Sequence, residues 1–70
     1  MVNGAKIKEL REINGLSQAK LGEIVGADQS MIGFIERGVK RPSVELLGYI
    51  ADYFGVSMDD LRKKESVVAE

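Results

Sequence analysis

Apolar positions recur along this chain with the spacing of amphipathic helices. Leu21 and Val25 are four residues apart, and Ile32 and Ile35 are three apart, with polar residues between them. Residues at these spacings lie on one face of an α-helix. Gly26 separates the two stripes and suits the left-handed backbone conformation in which helices often end. The pattern predicts two short helices that share one interior and are joined by a tight turn.

Helix start and stop signals extend this pattern to five predicted helices. The residues suited to capping a helix N-terminus are Asn3, Ser17, Asp28, Ser43 and Ser57, and glycines follow the first four helices. We expect helices over about 4–14, 18–25, 29–37 and 44–54, with a fifth beginning after Ser57. The second and third would form a helix-turn-helix. The segment 63–70 lacks apolar periodicity and is expected to fray, which leaves one compact all-α bundle over residues 1–62.

Short matches spread over nearly the whole chain, from about Ile7 to Leu61, resemble the Cro and phage-repressor family of DNA-binding domains, also called the XRE family. The matching residues are Leu16-Ser17-Gln18, Leu21, Val25-Gly26, Ile32, Ile35-Glu36-Arg37-Gly38, Pro42-Ser43, Ala51 and Gly55-Val56-Ser57. None of these motifs is specific alone; their joint order and spacing carry the resemblance. It implies a five-helix lambda-repressor-like bundle that binds double-stranded DNA and regulates transcription.

Composition narrows the possible chemistry. A chain of 70 residues allows one domain with a small core. It has no cysteine and no histidine, which excludes a disulfide, a thiol nucleophile, an imidazole base and the usual zinc sites. It also lacks a phosphate-cradling loop, so we expect no enzyme, no metal and no cofactor. No apolar run is long enough for a transmembrane segment or signal peptide, which predicts a cytoplasmic protein.

The charge balance is uneven along the chain. The formal net charge is −1 and the pI is about 5.4, which argues against DNA binding through bulk positive charge. However, basic residues lie in or beside the predicted helix-turn-helix, while many acidic residues follow Pro42. A locally basic face is therefore expected on an acidic protein.

The outward positions of the third predicted helix are the candidates for reading DNA bases. In a helix-turn-helix, the second helix of the motif enters the major groove with its N-terminal residues toward the bases. We predict base contacts from Gln29, Ser30, Gly33 and Phe34. Gln29 is the strongest candidate because its amide can pair with adenine N6 and N7, and Gly33 would allow close approach to the groove floor. The alternatives are a solvated Gln29 and a Phe34 that belongs to the core.

A second group of residues is predicted to contact the DNA backbone. The start of the second helix offers N–H groups and a positive dipole end to a phosphate. Basic residues around the motif could reach phosphates, and Arg41 could reach a narrow minor groove. The predicted backbone contacts are Ser17, Gln18, Lys20, Arg37, Lys40 and Arg41. The alternatives are that Ser17 only caps its helix and that Lys40 and Arg41 are solvated surface.

Arg11 lies four residues after Ile7, at the edge of the buried face of the first helix, where an arginine needs a partner. The family resemblance implies that an arginine at this position pairs with Glu36 near the end of the third helix. We predict an architectural ion pair that orients the reading helix. The alternative is two independent surface charges.

The fourth predicted helix carries two apolar stripes. Its core stripe comprises Val44, Leu47, Ile50, Ala51 and Phe54. Its second stripe comprises Leu46, Tyr49 and Tyr53, with Met58 nearby in sequence. We predict that this second stripe forms a homodimer interface, because one domain covers only a half-site and specific binding normally takes two domains on a palindrome. The alternative is that the tyrosines lean over the core with their hydroxyls in water.

These features predict a dimeric transcriptional regulator, most simply a repressor, without an evident small-molecule effector site. A protein-interaction module that retains the fold, such as an antitoxin or adaptor, is the alternative that the acidic pI and Phe34 favour. The two differ in their response to salt, because a DNA binder shows salt-sensitive affinity even for duplexes of mixed sequence.

Overall fold

The computed structural model describes residues 2–62, which form four α-helices and one turn of 3-10 helix. The elements are α1 (Gly4–Ile13), α2 (Gln18–Val25), α3 (Gln29–Glu36), α4 (Val44–Phe54) and the 3-10 turn Asp59–Leu61. The first four predicted helices are confirmed to within about one residue at each end. The expected fraying of residues 63–70 lies outside the described residues. Within the described range, no helix has the length and apolar character needed to cross a membrane.

The fifth predicted helix is wrong, because the segment after Ser57 makes only a single 3-10 turn. The capping signal itself is real: Ser57 Oγ accepts from the Asp60 N–H at 3.1 Å, and the Ser57 N–H donates to Asp60 Oδ2 at 3.1 Å. The turn ends at Arg62, which is extended and forms an antiparallel bridge with Val2. Pairing with the other end of the domain therefore replaces further helix, and Leu61 is held fully buried just before it.

Side-chain caps begin three of the four helices. The side chains of Asn3, Ser17 and Ser43 each accept a hydrogen bond from the backbone N–H three residues later, at 3.1, 3.0 and 3.0 Å. Caps of this kind stabilise a helix by about 1 kcal/mol. Asp28 stands at the N-cap position of α3, but among the described residues its side chain makes no cap hydrogen bond. Gly26 and Gly55 end α2 and α4 in the left-handed conformation, as expected.

The core lies where α3 meets α1 and α2, with α4 packed on α2 and the 3-10 turn on α1. Its buried apolar residues are Ile7, Leu21, Val25, Ile32, Ile35, Leu47, Ile50, Ala51 and Leu61. Val44 was predicted to belong to the core stripe of the fourth helix, and this prediction is wrong because Val44 is 77% exposed. It lies one turn before Leu47, the first buried residue of α4, so the apolar spacing continues past the end of the core.

Two glycines permit backbone contacts that a side chain would prevent. A Cβ atom on Gly22 would collide with the carbonyl oxygen of Ala27, so α2 packs directly against the turn that follows it. Gly4 was not singled out from the sequence, yet a Cβ there would collide with the carbonyl oxygen of Ile35. The start of α1 therefore rests on the backbone at the end of α3 and fixes the position of that helix.

Candidate DNA-binding surface

The first two residues of α3, Gln29 and Ser30, are exposed, as the sequence predicts. Their side chains make no hydrogen bond within residues 2–62. They line a shallow depression of about 150 Å³ that also includes Gln18, Gly33, Phe34 and Arg37. The structure thus brings all four predicted base-reading residues together with two residues that were predicted to contact the DNA backbone.

Gly33 corrects one expectation about this surface. It was predicted to point outward and to allow close approach to the groove floor, but it is buried. The position where its Cβ would lie is 3.1 Å from Arg37 Nη1 and 3.4 Å from Gln18 Oε1. Two neighbouring side chains therefore cover Gly33, and in this conformation the helix backbone is not open to solvent there.

Phe34 fits neither of the two alternatives completely. It is half-buried rather than fully exposed or part of the core. The guanidinium carbon of Arg37 lies 5.4 Å from the centre of its ring, and Lys40 Nζ lies 5.1 Å from it. These are distances at which a cation is attracted to an aromatic ring. The ring therefore positions two cations beside the exposed face of α3.

Arg11 and Glu36 form the predicted ion pair, and it is buried. Arg11 Nε donates to Glu36 Oε2 at 2.6 Å and Nη2 donates to Oε1 at 3.1 Å, with each residue 8% exposed. Arg11 Nη1 also donates to the carbonyl of Leu16 at 2.7 Å. The alternative of two independent surface charges is excluded. The pair ties α1, the loop before α2 and the end of α3 to one another.

Gln18 joins this buried pair, which the sequence did not indicate. Its Nε2 donates to Glu36 Oε1 at 3.0 Å, so one side-chain hydrogen bond links the start of α2 to the end of α3. No signal in the sequence distinguishes this glutamine from a solvated one, because its partner is 18 residues away and is known only once the helices are packed.

The hydrogen bond that the Arg11 guanidinium donates to the Glu36 carboxylate raises the pKa of Arg11 above its usual value, against the opposing effect of burial. A raised pKa stabilises the fold at all pH values below the ordinary arginine value, and the stabilisation is lost only as the pH rises through the raised one. Arg11 therefore keeps its charge throughout the physiological range, and its contribution does not change there.

The predicted backbone-contacting residues occupy two parts of the surface. At the start of α2, Ser17 caps the helix, and Lys20 Nζ lies 3.1 Å from Glu23 in an exposed ion pair. Beyond α3, Lys40 and Arg41 border a cleft with the first residues of α1, together with Arg37. Exposed ion pairs such as that of Lys20 with Glu23 contribute little to stability. Lys20 therefore remains available to an external anion.

The second apolar stripe of α4 is partly exposed, as a contact surface requires. Tyr49 and Tyr53 are about half exposed, at 51% and 46%, while Leu46 and Met58 are half-buried against the core. The Tyr49 hydroxyl donates to Glu45 at 3.3 Å, and the Tyr53 ring packs edge-on against Phe54 at 5.2 Å. The homodimer interface stays a prediction.

Comparison with known proteins places this geometry in a family. The family described as helix-turn-helix matches residues 7–61. The chain belongs to this helix-turn-helix family, of the XRE type. It is 43% identical over 56 residues to YgzD of Bacillus subtilis, described as an uncharacterized HTH-type transcriptional regulator, covering 80% of this chain and 85% of that protein. The family is one of DNA-binding regulators.

Solved structures of this helix-turn-helix type match the fold closely. The P22 c2 repressor in complex with synthetic operator 9T superposes with a TM-score of 0.84 and 29% identity, covering 93% of this chain and 98% of that one. SinR of Bacillus subtilis in complex with DNA superposes with a TM-score of 0.75 and 32% identity, covering 83% and 94%. The predicted resemblance to phage repressors is therefore confirmed.

Proposed function

We propose that this protein is a transcriptional repressor that binds a palindromic operator as a homodimer, with α3 in the major groove. The observation that carries the proposal is the exposed start of α3, where Gln29 and Ser30 project without a partner among residues 2–62. An unpaired amide at this position is available to the edge of a base. The P22 c2 repressor and SinR, which share the fold, are described in complex with operator and with DNA.

The remaining contacts follow from the surface around α3. Ser30 and Phe34 lie beside Gln29 and would approach the same base pairs, Phe34 through thymine methyl groups. Gly33 would contribute by leaving space rather than by touching a base itself. The predicted backbone contacts lie at the start of α2, at the end of α3 and in the loop after it, namely Ser17, Gln18, Lys20, Arg37, Lys40 and Arg41. Contacts of this type position the helix without specifying sequence.

Homodimerisation would use the second apolar stripe of α4. Exposed tyrosines beside half-buried apolar residues are typical of protein interfaces, where an aromatic ring is covered and its hydroxyl remains at the rim. Two copies related by a two-fold axis would place two α3 helices one helical turn of DNA apart. This arrangement predicts an operator with inverted symmetry.

Selection of bound duplexes from a random DNA pool tests the proposal. We expect an inverted repeat, and we expect Gln29→Ala to lose specificity at one position per arm, by about 1–3 kcal/mol per base pair. The matched control is Lys40→Ala, which should weaken binding to all sequences by a similar factor because it removes a phosphate contact. Enrichment of a direct repeat would contradict the dimer arrangement, and a Gln29→Ala variant with unchanged specificity would contradict the reading role.

A protein-interaction module with the same fold would behave differently. Labelled duplex DNA of mixed sequence, titrated at rising salt, should show weak affinity that falls with salt if the protein binds DNA. The absence of any affinity at low salt would contradict the proposal and favour the interaction module.

A further inference from the structure

Arg37 follows α3 in the chain, but its guanidinium lies over the middle of that helix. Its Nη1 is 3.1 Å from the point that a Cβ on Gly33 would occupy, and its Cζ is 5.4 Å from the ring centre of Phe34. Helical side chains point toward the N-terminus, so the long arginine side chain reaches back one turn. Its charge therefore borders the same depression as Gln29 and Ser30.

The guanidinium of Arg37 is free to bind a ligand. Within residues 2–62 it makes no ion pair with a carboxylate and no side-chain hydrogen bond. The neighbouring carboxylate of Glu36 is occupied by Arg11 and Gln18 instead. The contact with the Phe34 ring restricts the position of the Arg37 guanidinium and leaves its N–H donors available. A guanidinium that is already ordered loses less entropy when it forms paired hydrogen bonds.

Gly33 makes this position of Arg37 possible. Glycine inside a helix is destabilising relative to alanine, so its presence in the middle of an eight-residue helix calls for a reason. Any side chain at residue 33 would compete for the space beside Arg37 Nη1 and Gln18 Oε1. The missing Cβ thus provides room for a cation on the exposed face of α3, among the residues proposed to read bases.

We propose that Arg37 reads a guanine in each half-site of the operator, donating to guanine O6 and N7. Because Arg37 follows α3 in the sequence, it was predicted to contact a phosphate. Its guanidinium, however, lies beside Gly33 and borders the depression with Gln29 and Ser30, which favours a contact with a base. Guanine presents two acceptors in the major groove, which match the paired donors of arginine. This assignment rests on the proposed function, because it requires that α3 enters the major groove of an operator.

Replacement of guanines in the selected operator by 7-deazaguanine tests the assignment. This analogue lacks the N7 acceptor but keeps the charge and the Watson–Crick pairing of the duplex. The measured quantity is the ratio of Kd for the substituted duplex to Kd for the natural one, at each guanine in turn. We expect one guanine per arm at which the ratio for the wild-type protein is about 5 to 150.

Two variants separate Arg37 from its neighbours. In Arg37→Ala the ratio at the assigned guanine should fall to about 1, because the removed acceptor no longer has a donor. Lys40→Ala is the matched control, since Lys40 also lies beside Phe34; it should weaken binding overall and leave the ratio unchanged. Circular dichroism checks that each variant remains folded.

The outcomes distinguish this assignment from the proposed function. If a palindrome is selected but Arg37→Ala leaves every ratio unchanged, or if the arms contain no guanine, Arg37 does not read guanine and the proposed function stands. If no duplex is bound at all, the proposed function fails and the assignment fails with it.

Discussion

The buried pair of Arg11 and Glu36 gives the sharpest prediction about the fold. In Arg11→Met, Glu36 keeps only the hydrogen bond from Gln18, so a glutamate whose side chain is 2% exposed loses its counter-charge. Stranding a buried charge costs about 3–5 kcal/mol. Small domains have about 0.05–0.15 kcal/mol of stability per residue, so the loss is a large part of the total. At about 4–8 °C per kcal/mol, Tm should fall by at least about 12 °C.

A double-mutant cycle measures the pair directly. Urea and thermal unfolding of Arg11→Met, Glu36→Leu and the double variant can be followed by circular dichroism at one pH. Replacing both members of a buried pair by apolar residues is often neutral or stabilising, so the double variant should be more stable than Arg11→Met. The control is Glu9→Gln, which removes the surface pair with Lys6, whose atoms are 3.8 Å apart, and should cost at most about 1 kcal/mol. An Arg11→Met variant as stable as this control, or strictly additive single effects, would refute the reasoning.

Two further predictions concern packing and association. Gly4→Ala places a Cβ against the backbone of α3 and should destabilise the domain by about 1–3 kcal/mol in urea unfolding. The control is Gly48→Ala in α4, where a Cβ would meet no atom beyond the adjacent residues and the helix's own backbone within 4 Å, and which should stabilise the domain by about 0.5–1 kcal/mol. Equal effects of the two substitutions would contradict the close approach of α1 to α3. Tyr53→Glu should shift the sedimentation coefficient toward that of a monomer and weaken operator binding. The control is Val44→Glu, at an exposed position outside the second apolar stripe, which should change neither quantity. A Tyr53→Glu variant that stays dimeric would place the dimer interface elsewhere.

Local signals in the sequence were enough to place the first four helices. Capping by Ser17 and Ser43, and the left-handed glycines at 26 and 55, depend on neighbours within a few residues. The prediction of a fifth helix was wrong because the structure there depends on a distant contact. Whether the chain continues as helix after Ser57 depends on the pairing of Arg62 with Val2, a contact between the two ends of the domain that no local pattern encodes.

The candidate site likewise combines features that local sequence patterns predict with features that depend on distant contacts. Helical spacing identified the face of α3 that carries Gln29 and Phe34, because a face follows from the period of the helix. The same spacing predicted an outward-facing Gly33, which is wrong because the side chains of Gln18 and Arg37 cover this residue. Spacing gives the direction in which a residue points, but not which long side chains fold over it.

The central claim is that the start of α3 is the part of the protein that meets DNA. Titration of the isotopically labelled protein with its selected duplex, followed by two-dimensional amide NMR, tests it most directly. We expect the largest shift changes at the backbone and side-chain amides of Gln29, at Ser30 and at the start of α2. Largest changes along Leu46, Tyr49 and Tyr53, with the Gln29 side-chain amide unaffected, would contradict the account.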